Sequence, residues 1–197
     1  MSRSIHLTGM MGSGKSTVAE VLGRRLGRSV VDTDREVERW TGRSVADIFT
    51  AEGEARFRDL ERQVVTEVAR EPDLVVALGG GAVLADDAVA DLLLTGVIVH
   101  LDVPVDVLAE RLAHQWHERP LLAARAAAVA ADEPARAAVL REVLGELLAR
   151  RGARYREVAD LSVDGARDPE DVAQDVLEWA LGAGDVLTPS EHEQVMT

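Results

Sequence analysis

Residues 9–16, Gly-Met-Met-Gly-Ser-Gly-Lys-Ser, fit the pattern G-x-x-x-x-G-K-[ST] in full. Glycines let backbone N–H groups curl around phosphate oxygens with no Cβ in the way. A helix starting at the end of such a loop adds the positive end of its dipole. In this chemistry Lys15 reaches the β- and γ-phosphates as a compact positive charge, and Ser16 offers its hydroxyl to Mg2+. Gly12, Ser13, Gly14, Lys15, Ser16 and Thr17 are the residues expected to contact the nucleotide. Lys15 is the only lysine; the other 21 basic residues are arginines. A coding bias toward arginine accounts for most of that, yet it left a lysine at this one position. The loop specifies a nucleotide and not a reaction. A guanine-reading Asn-Lys-x-Asp is impossible with one lysine, and 197 residues leave little room for a motor or transporter. A small kinase is the economical reading.

A kinase needs an acceptor side. Asp32-Thr33-Asp34 falls at the end of a short apolar run. One carboxylate there could hold a Mg2+-bound water while the other orients or deprotonates a hydroxyl. Equally, Asp34 could simply cap a helix beginning at Arg35. Arg58, in Phe57-Arg58-Asp59-Leu60-Glu61, is either part of a site or one charge on a solvated helix face. Gly79, Gly80 and Gly81 cost backbone entropy together and make sense where a backbone must approach a ligand. Pro120 biases Arg119 away from helix, placing it on a loop. Arg151 lies among Arg150, Arg154 and Arg156, a set that could equally form a solvated basic face.

The elements that must position these residues follow from the apolar pattern. Short apolar runs at 5–8, 29–31, 74–78, 97–101 and 161–163 predict strands. Helical spacing covers 15–26, 35–40, 45–70, 85–94, 105–114, 136–158 and 169–181. Strands alternating with helices predict an α/β fold with a parallel sheet, whose ligands bind at the carboxyl ends of the strands. The glycine clusters and the two aspartates fall at those ends. Residues 1–181 are expected to form one domain, and 182–197, rich in glycine, proline, serine and acids, a loose flexible tail.

Composition narrows the partners. With 22 Lys+Arg against 35 Asp+Glu the net charge is −13, which argues against nucleic acid or an anionic membrane. Zero cysteines exclude disulfides, thiolate metal sites and cysteine nucleophiles. With 47% hydrophobic residues, no long apolar span and no signal-peptide pattern, a soluble, cytoplasmic, monomeric protein is expected. The five histidines are expected to be structural or surface residues.

The whole set resembles shikimate kinase, from about residue 4 to about 180. The specific parts are Val31-Asp32-Thr33-Asp34, the segment 41–49 (Thr-Gly-Arg-Ser-Val-Ala-Asp-Ile-Phe), Phe57-Arg58-x-x-Glu61, the segment 78–83 (Leu-Gly-Gly-Gly-Ala-Val) and Arg119-Pro120-Leu121-Leu122. The resemblance implies a P-loop kinase fold similar to nucleoside monophosphate kinases. That fold has a five-stranded parallel sheet flanked by helices, a substrate-binding segment at about 34–70 and a mobile lid at about 115–135. It implies transfer of the γ-phosphoryl of ATP to the 3-hydroxyl of shikimate, in aromatic amino acid (chorismate) biosynthesis. Carried over, Ser16 and Asp32 (through water) would serve Mg2+, and Lys15 the phosphates. Asp34 would contact the accepting hydroxyl, and Arg58 and Arg151 the shikimate carboxylate. Gly79, Gly80 and Gly81 would flank the ring, Arg119 would stabilise the moving phosphoryl, and Arg111 would lie beside adenine. The stretch between Arg119 and Arg151 is longer than usual, the excess being the Ala-rich 123–131. A kinase of another small hydroxy acid, such as gluconate, is the alternative.

Overall fold

Each of five short apolar runs becomes one strand of a single parallel sheet. In this computed structural model, which describes residues 2–129 and 132–196, the strands are β1 (Ser4–Thr8), β2 (Val30–Asp32), β3 (Val75–Ala77), β4 (Gly96–Asp102) and β5 (Leu161–Asp164), in the order β2-β3-β1-β4-β5. Helices supply the crossovers that parallel strands require: α1 (Lys15–Leu26), α2 (Thr33–Thr41), α3 (Val45–Val68), α4 (Asp86–Thr95), α5 (Val105–Leu112), α6 (Pro120–Ala126), α7 (Glu133–Val158), α8 (Pro169–Gly182) and α9 (Pro189–Met196).

Alternate residues of a strand face opposite layers. Ile5, Leu7, Val75, Ala77, Val97 and Val99 pack with Val18 and Leu22 of α1 and Val176 and Leu177 of α8. Val76 and Ile98 face the other way, into a cluster built from α3, α4, α5 and α7. His6, in register with Val76 and Ile98, is wholly buried on that second face. No helix among the described residues is long and apolar enough to cross a membrane.

Three expectations need correction. The helix expected from Arg35 begins at Thr33, because Asp32 caps it by accepting from the amides of Asp34 and Arg35. The helix over 45–70 is broken at Gly53, whose φ of 85° and ψ of 172° are not helical. The loose tail is packed over its described part, 182–196: Val186 and Leu187 are buried, and the buried Glu191 accepts two bonds from Arg28, at 2.6 and 2.9 Å. Local composition cannot show a partner that far back in the chain. Within the expected lid, Leu122 and Ala126 are wholly buried, and Arg125 pairs with Glu142 and Glu146 of α7. Ala130 and Ala131 of the Ala-rich stretch lie outside the described residues.

Candidate active site

Register brings the chemistry together. Asp32 pairs with Ala77, and Ala77 with Leu7 of β1, so the carboxyl ends of β2, β3 and β1 are neighbours. The phosphate loop joins β1 to α1, with Gly12 and Gly14 in the left-handed region at φ 78° and 93°. The Lys15 amine donates to the carbonyl oxygens of Gly9 (3.0 Å) and Met10 (2.8 Å). Burial pushes it down to about 8, against the upward pull of Asp34 and Asp32, with Arg119 adding to the fall. The Ser16 hydroxyl donates to Asp32 Oδ2 at 2.6 Å.

Asp32 therefore both caps α2 and holds Ser16. Asp34 is left free of capping duty in the first helical turn. Its Oδ1 is buried without a hydrogen-bond partner. Burial raises this carboxyl above the usual range, and the Asp32 charge adds to the rise, while Lys15, Arg119 and Arg58 oppose it.

The Gly79 amide donates to Thr33 Oγ1 at 2.8 Å. A Cβ on Gly79 would strike the carboxylates of Glu61 and Asp34, and one on Gly81 would strike the Arg58 guanidinium. Gly79 and Gly81 thus make room for two acids and an arginine. Arg58 donates to Glu61 Oε2 (2.6 Å) and Glu54 Oε1 (3.0 Å), with its guanidinium 5.2 Å from the centre of the Phe57 ring. Glu61 is buried, and its Oε1 also lacks a partner. Burial raises its carboxyl, with Arg58 opposing.

A cavity of about 70 Å³ is lined by Asp34, Arg58, Glu61, Gly80, Gly81, Arg151 and the lid residues Glu118 to Leu121. Among the flanking arginines, Arg150 is exposed and bonds the Glu146 carbonyl (3.2 Å). Arg154 bonds the Val83 carbonyl (3.1 Å) and pairs with Asp86. Arg151 is the one facing the cavity. Gly79 lines neither cavity and lies behind the two acids. A larger cleft of about 1010 Å³ is lined by Gly12 to Thr17, Asp32, Asp34, Arg111 and Arg119. Met11, Asp34, Val45, Gly80, Glu118 and Arg119 border both spaces, so the two meet at Asp34 and Arg119. Arg111 braces the phosphate loop against the turn after β5, donating to the carbonyls of Ser13 (3.3 Å), Gly165 (3.0 Å) and Ala166 (3.0 Å).

Among the described residues no three of His, Cys, Asp and Glu cluster as a metal cage. A divalent cation would find a hydroxyl and a carboxylate at Ser16 and Asp32, and would need phosphate and water oxygens to complete its shell. Three participants had no role assigned from sequence: Thr33, Glu61 and Tyr155. For Glu61 the signal was an arginine three residues earlier, one helical turn away.

A phosphate cradle opening onto a small pocket with two arginines and a buried acid suits transfer of a phosphoryl group to a small anionic alcohol. That is the work of a P-loop small-molecule kinase. Comparison with known proteins makes this specific. The shikimate kinase family model matches residues 11–181. The shikimate kinase of Gloeobacter violaceus is 43% identical over 174 residues, covering 88% of this chain and 90% of the relative. The structure of shikimate kinase from Acinetobacter baumannii in complex with shikimate superposes with a TM-score of 0.83 at 34% identity, covering 93% of this chain and 96% of that one. The chain belongs to the shikimate kinase family. A gluconokinase from Sinorhizobium meliloti, at 21% identity and a TM-score of 0.51 over 90% of each chain, shares the fold alone.

Proposed function

We propose that the chain transfers the γ-phosphoryl group of ATP to the 3-hydroxyl of shikimate. The observation that carries this is the small cavity, where Arg58 and Arg151 stand with the unpartnered Asp34 at the border of the nucleotide cleft.

Arg58 and Arg151 hold the acceptor carboxylate; a guanidinium does this with two parallel bonds. Gly80 and Gly81 flank the ring, with Gly79 behind them. Asp34 receives the hydroxyl proton. Its raised carboxyl is more basic than an exposed aspartate and suits that task. Lys15 exchanges its resting carbonyl partners for the β- and γ-phosphate oxygens. Arg119, bordering both spaces, stabilises the charge on the moving phosphoryl group. Arg111 serves the adenine side. Ser16, and Asp32 through water, would hold Mg2+, which when bound neutralises charge between the phosphates. The cavity of about 70 Å³ is small for a ring-sized acceptor. Glu118 to Leu121 form part of its wall, so this lid swings out to admit the acceptor and closes to exclude water. The enzyme works as a monomer, since one chain supplies every group named. We assign it to the cytoplasm, where ATP is held.

A coupled ADP-release assay with MgATP tests this against shikimate, gluconate, quinate and no acceptor. ADP release that appears with shikimate alone supports the assignment. Release that is faster with gluconate or quinate, or the same with no acceptor, overturns it.

A further inference from the structure

Tyr155 is wholly buried on α7. Its hydroxyl donates to the Gly80 carbonyl oxygen at 2.5 Å and lies 3.7 Å from the Met10 sulfur. Its ring stacks on His100 of β4, with centroids 5.5 Å apart. The residue before it, Arg154, donates to the Val83 carbonyl. One turn earlier on the same helix, Arg151 lines the acceptor cavity. A single turn of α7 therefore supplies a cavity arginine and grips the adjoining loop by two carbonyls.

That grip matters because the loop is glycine. Gly80 and Gly81 have no side chains to anchor them, and both line the cavity. The peptide unit between them is planar, so holding the Gly80 carbonyl fixes the direction of the Gly81 N–H on its other edge. The β-position of Gly80 lies 3.6 Å from the Gly9 carbonyl and 3.8 Å from the Met11 amide, so the same plane sets the spacing to the phosphate loop. Burial raises the Tyr155 phenol above its ordinary value, so the hydroxyl keeps its proton and remains a donor.

We infer that Tyr155 is a positioning residue: by holding the Gly80 carbonyl it sets the Gly80–Gly81 peptide plane as the acceptor-side wall, without touching substrate. This rests on the acceptor-pocket assignment above.

The test is Tyr155→Phe, which keeps the ring and removes the hydroxyl that holds the Gly80 carbonyl and also pairs with Arg151, so the exchange measurement separates the loop from the arginine. Two measurements go together: steady-state kinetics with shikimate and MgATP, and amide hydrogen exchange of both proteins without ligands. The expected result is a shikimate KM about tenfold higher with an ATP KM within about twofold, the pattern of lost acceptor positioning. Exchange should quicken over residues 79–84 and stay unchanged in the sheet. Equal rises in both KM values with faster exchange throughout would mean a merely structural residue and overturn the inference. So would unchanged exchange over 79–84. If the parent protein shows no shikimate-dependent turnover, the proposed function falls, and the exchange comparison still decides the role of Tyr155.

Discussion

Lowering the pH should destabilise this fold through His6. The side chain is wholly buried in β1, and neither ring nitrogen has a hydrogen-bond partner. Burial, with a smaller contribution from Arg3, lowers its pKa from 6.5 to about 3. The unfolded chain takes up this proton near pH 6.5, whereas the folded chain refuses it until about pH 3. Between those values the unfolded state binds more protons, so stability falls as pH falls. Above pH 6.5 both states are neutral and His6 contributes no pH dependence. At pH 5, about 1.5 units below the unfolded value, the loss is about 2 kcal/mol at 1.36 kcal/mol per unit. The assay is urea unfolding of the parent and of His6→Leu, at pH 7.5 and pH 5. Carboxylates and the remaining histidines are common to both proteins and cancel in the comparison. The parent should lose about 2 kcal/mol more than the variant. Equal losses would refute the reasoning, because they would mean that the folded core holds His6 charged or supplies it with a partner.

Three substitutions probe the site and the carboxyl-terminal segment. Arg58→Ala should raise the shikimate KM by about a hundredfold through loss of a charged bond pair, with little change in the ATP KM; it also strands the buried Glu61, so unfolding should be measured alongside. Asp34→Asn should lower kcat by about a hundredfold or more, the usual contribution of a positioned base. Its melting temperature should hold or rise, because the change removes a buried carboxyl that has no partner; normal turnover would remove Asp34 from the chemistry. Glu191→Ala should cost about 3 kcal/mol in chemical unfolding, since it leaves Arg28 buried without a counter-charge, held only by the Arg3 and Val186 carbonyls. Both KM values should stay unchanged, and a stability near the parent's would show that the segment does not clamp the fold.

The phosphate loop was legible because its parts are contiguous and its geometry is local. The two aspartates were legible as a pair but not in their division of labour. Each could cap a helix, and only the start of α2 at Thr33 gives the cap to Asp32 and frees Asp34. Glutamate is rarely buried, so the Phe57-Arg58-x-x-Glu61 pattern marked Glu61 without assigning it a role or a place in the core. Its burial depends on Arg58 at one turn's distance and on Gly79, at another strand end, leaving it room. The Arg28–Glu191 pair spans 163 positions and joins segments that only the folded sheet brings together.

The arginines of α7 show where sequence pattern stops and tertiary structure takes over. Leu140, Val143, Leu144, Leu147 and Tyr155 mark the buried stripe of the helix. At 100° per residue, Arg151 falls in the middle of that stripe, four residues from both Leu147 and Tyr155. Arg154 also falls within it, and Arg150 lies at its edge. Periodicity alone therefore removes one of three candidates and leaves two. What separates the remaining pair is what stands opposite them. Arg154 meets the Val83 carbonyl and Asp86 and is spent on holding the loop, while Arg151 pairs with the Tyr155 hydroxyl and lines the cavity with Glu61 and Arg58. Arg58 is also held by carboxylates, but it lines the cavity, as Arg151 does and Arg154 does not. Carboxylate recognition therefore goes to Arg151, and loop support to Arg154 and Tyr155.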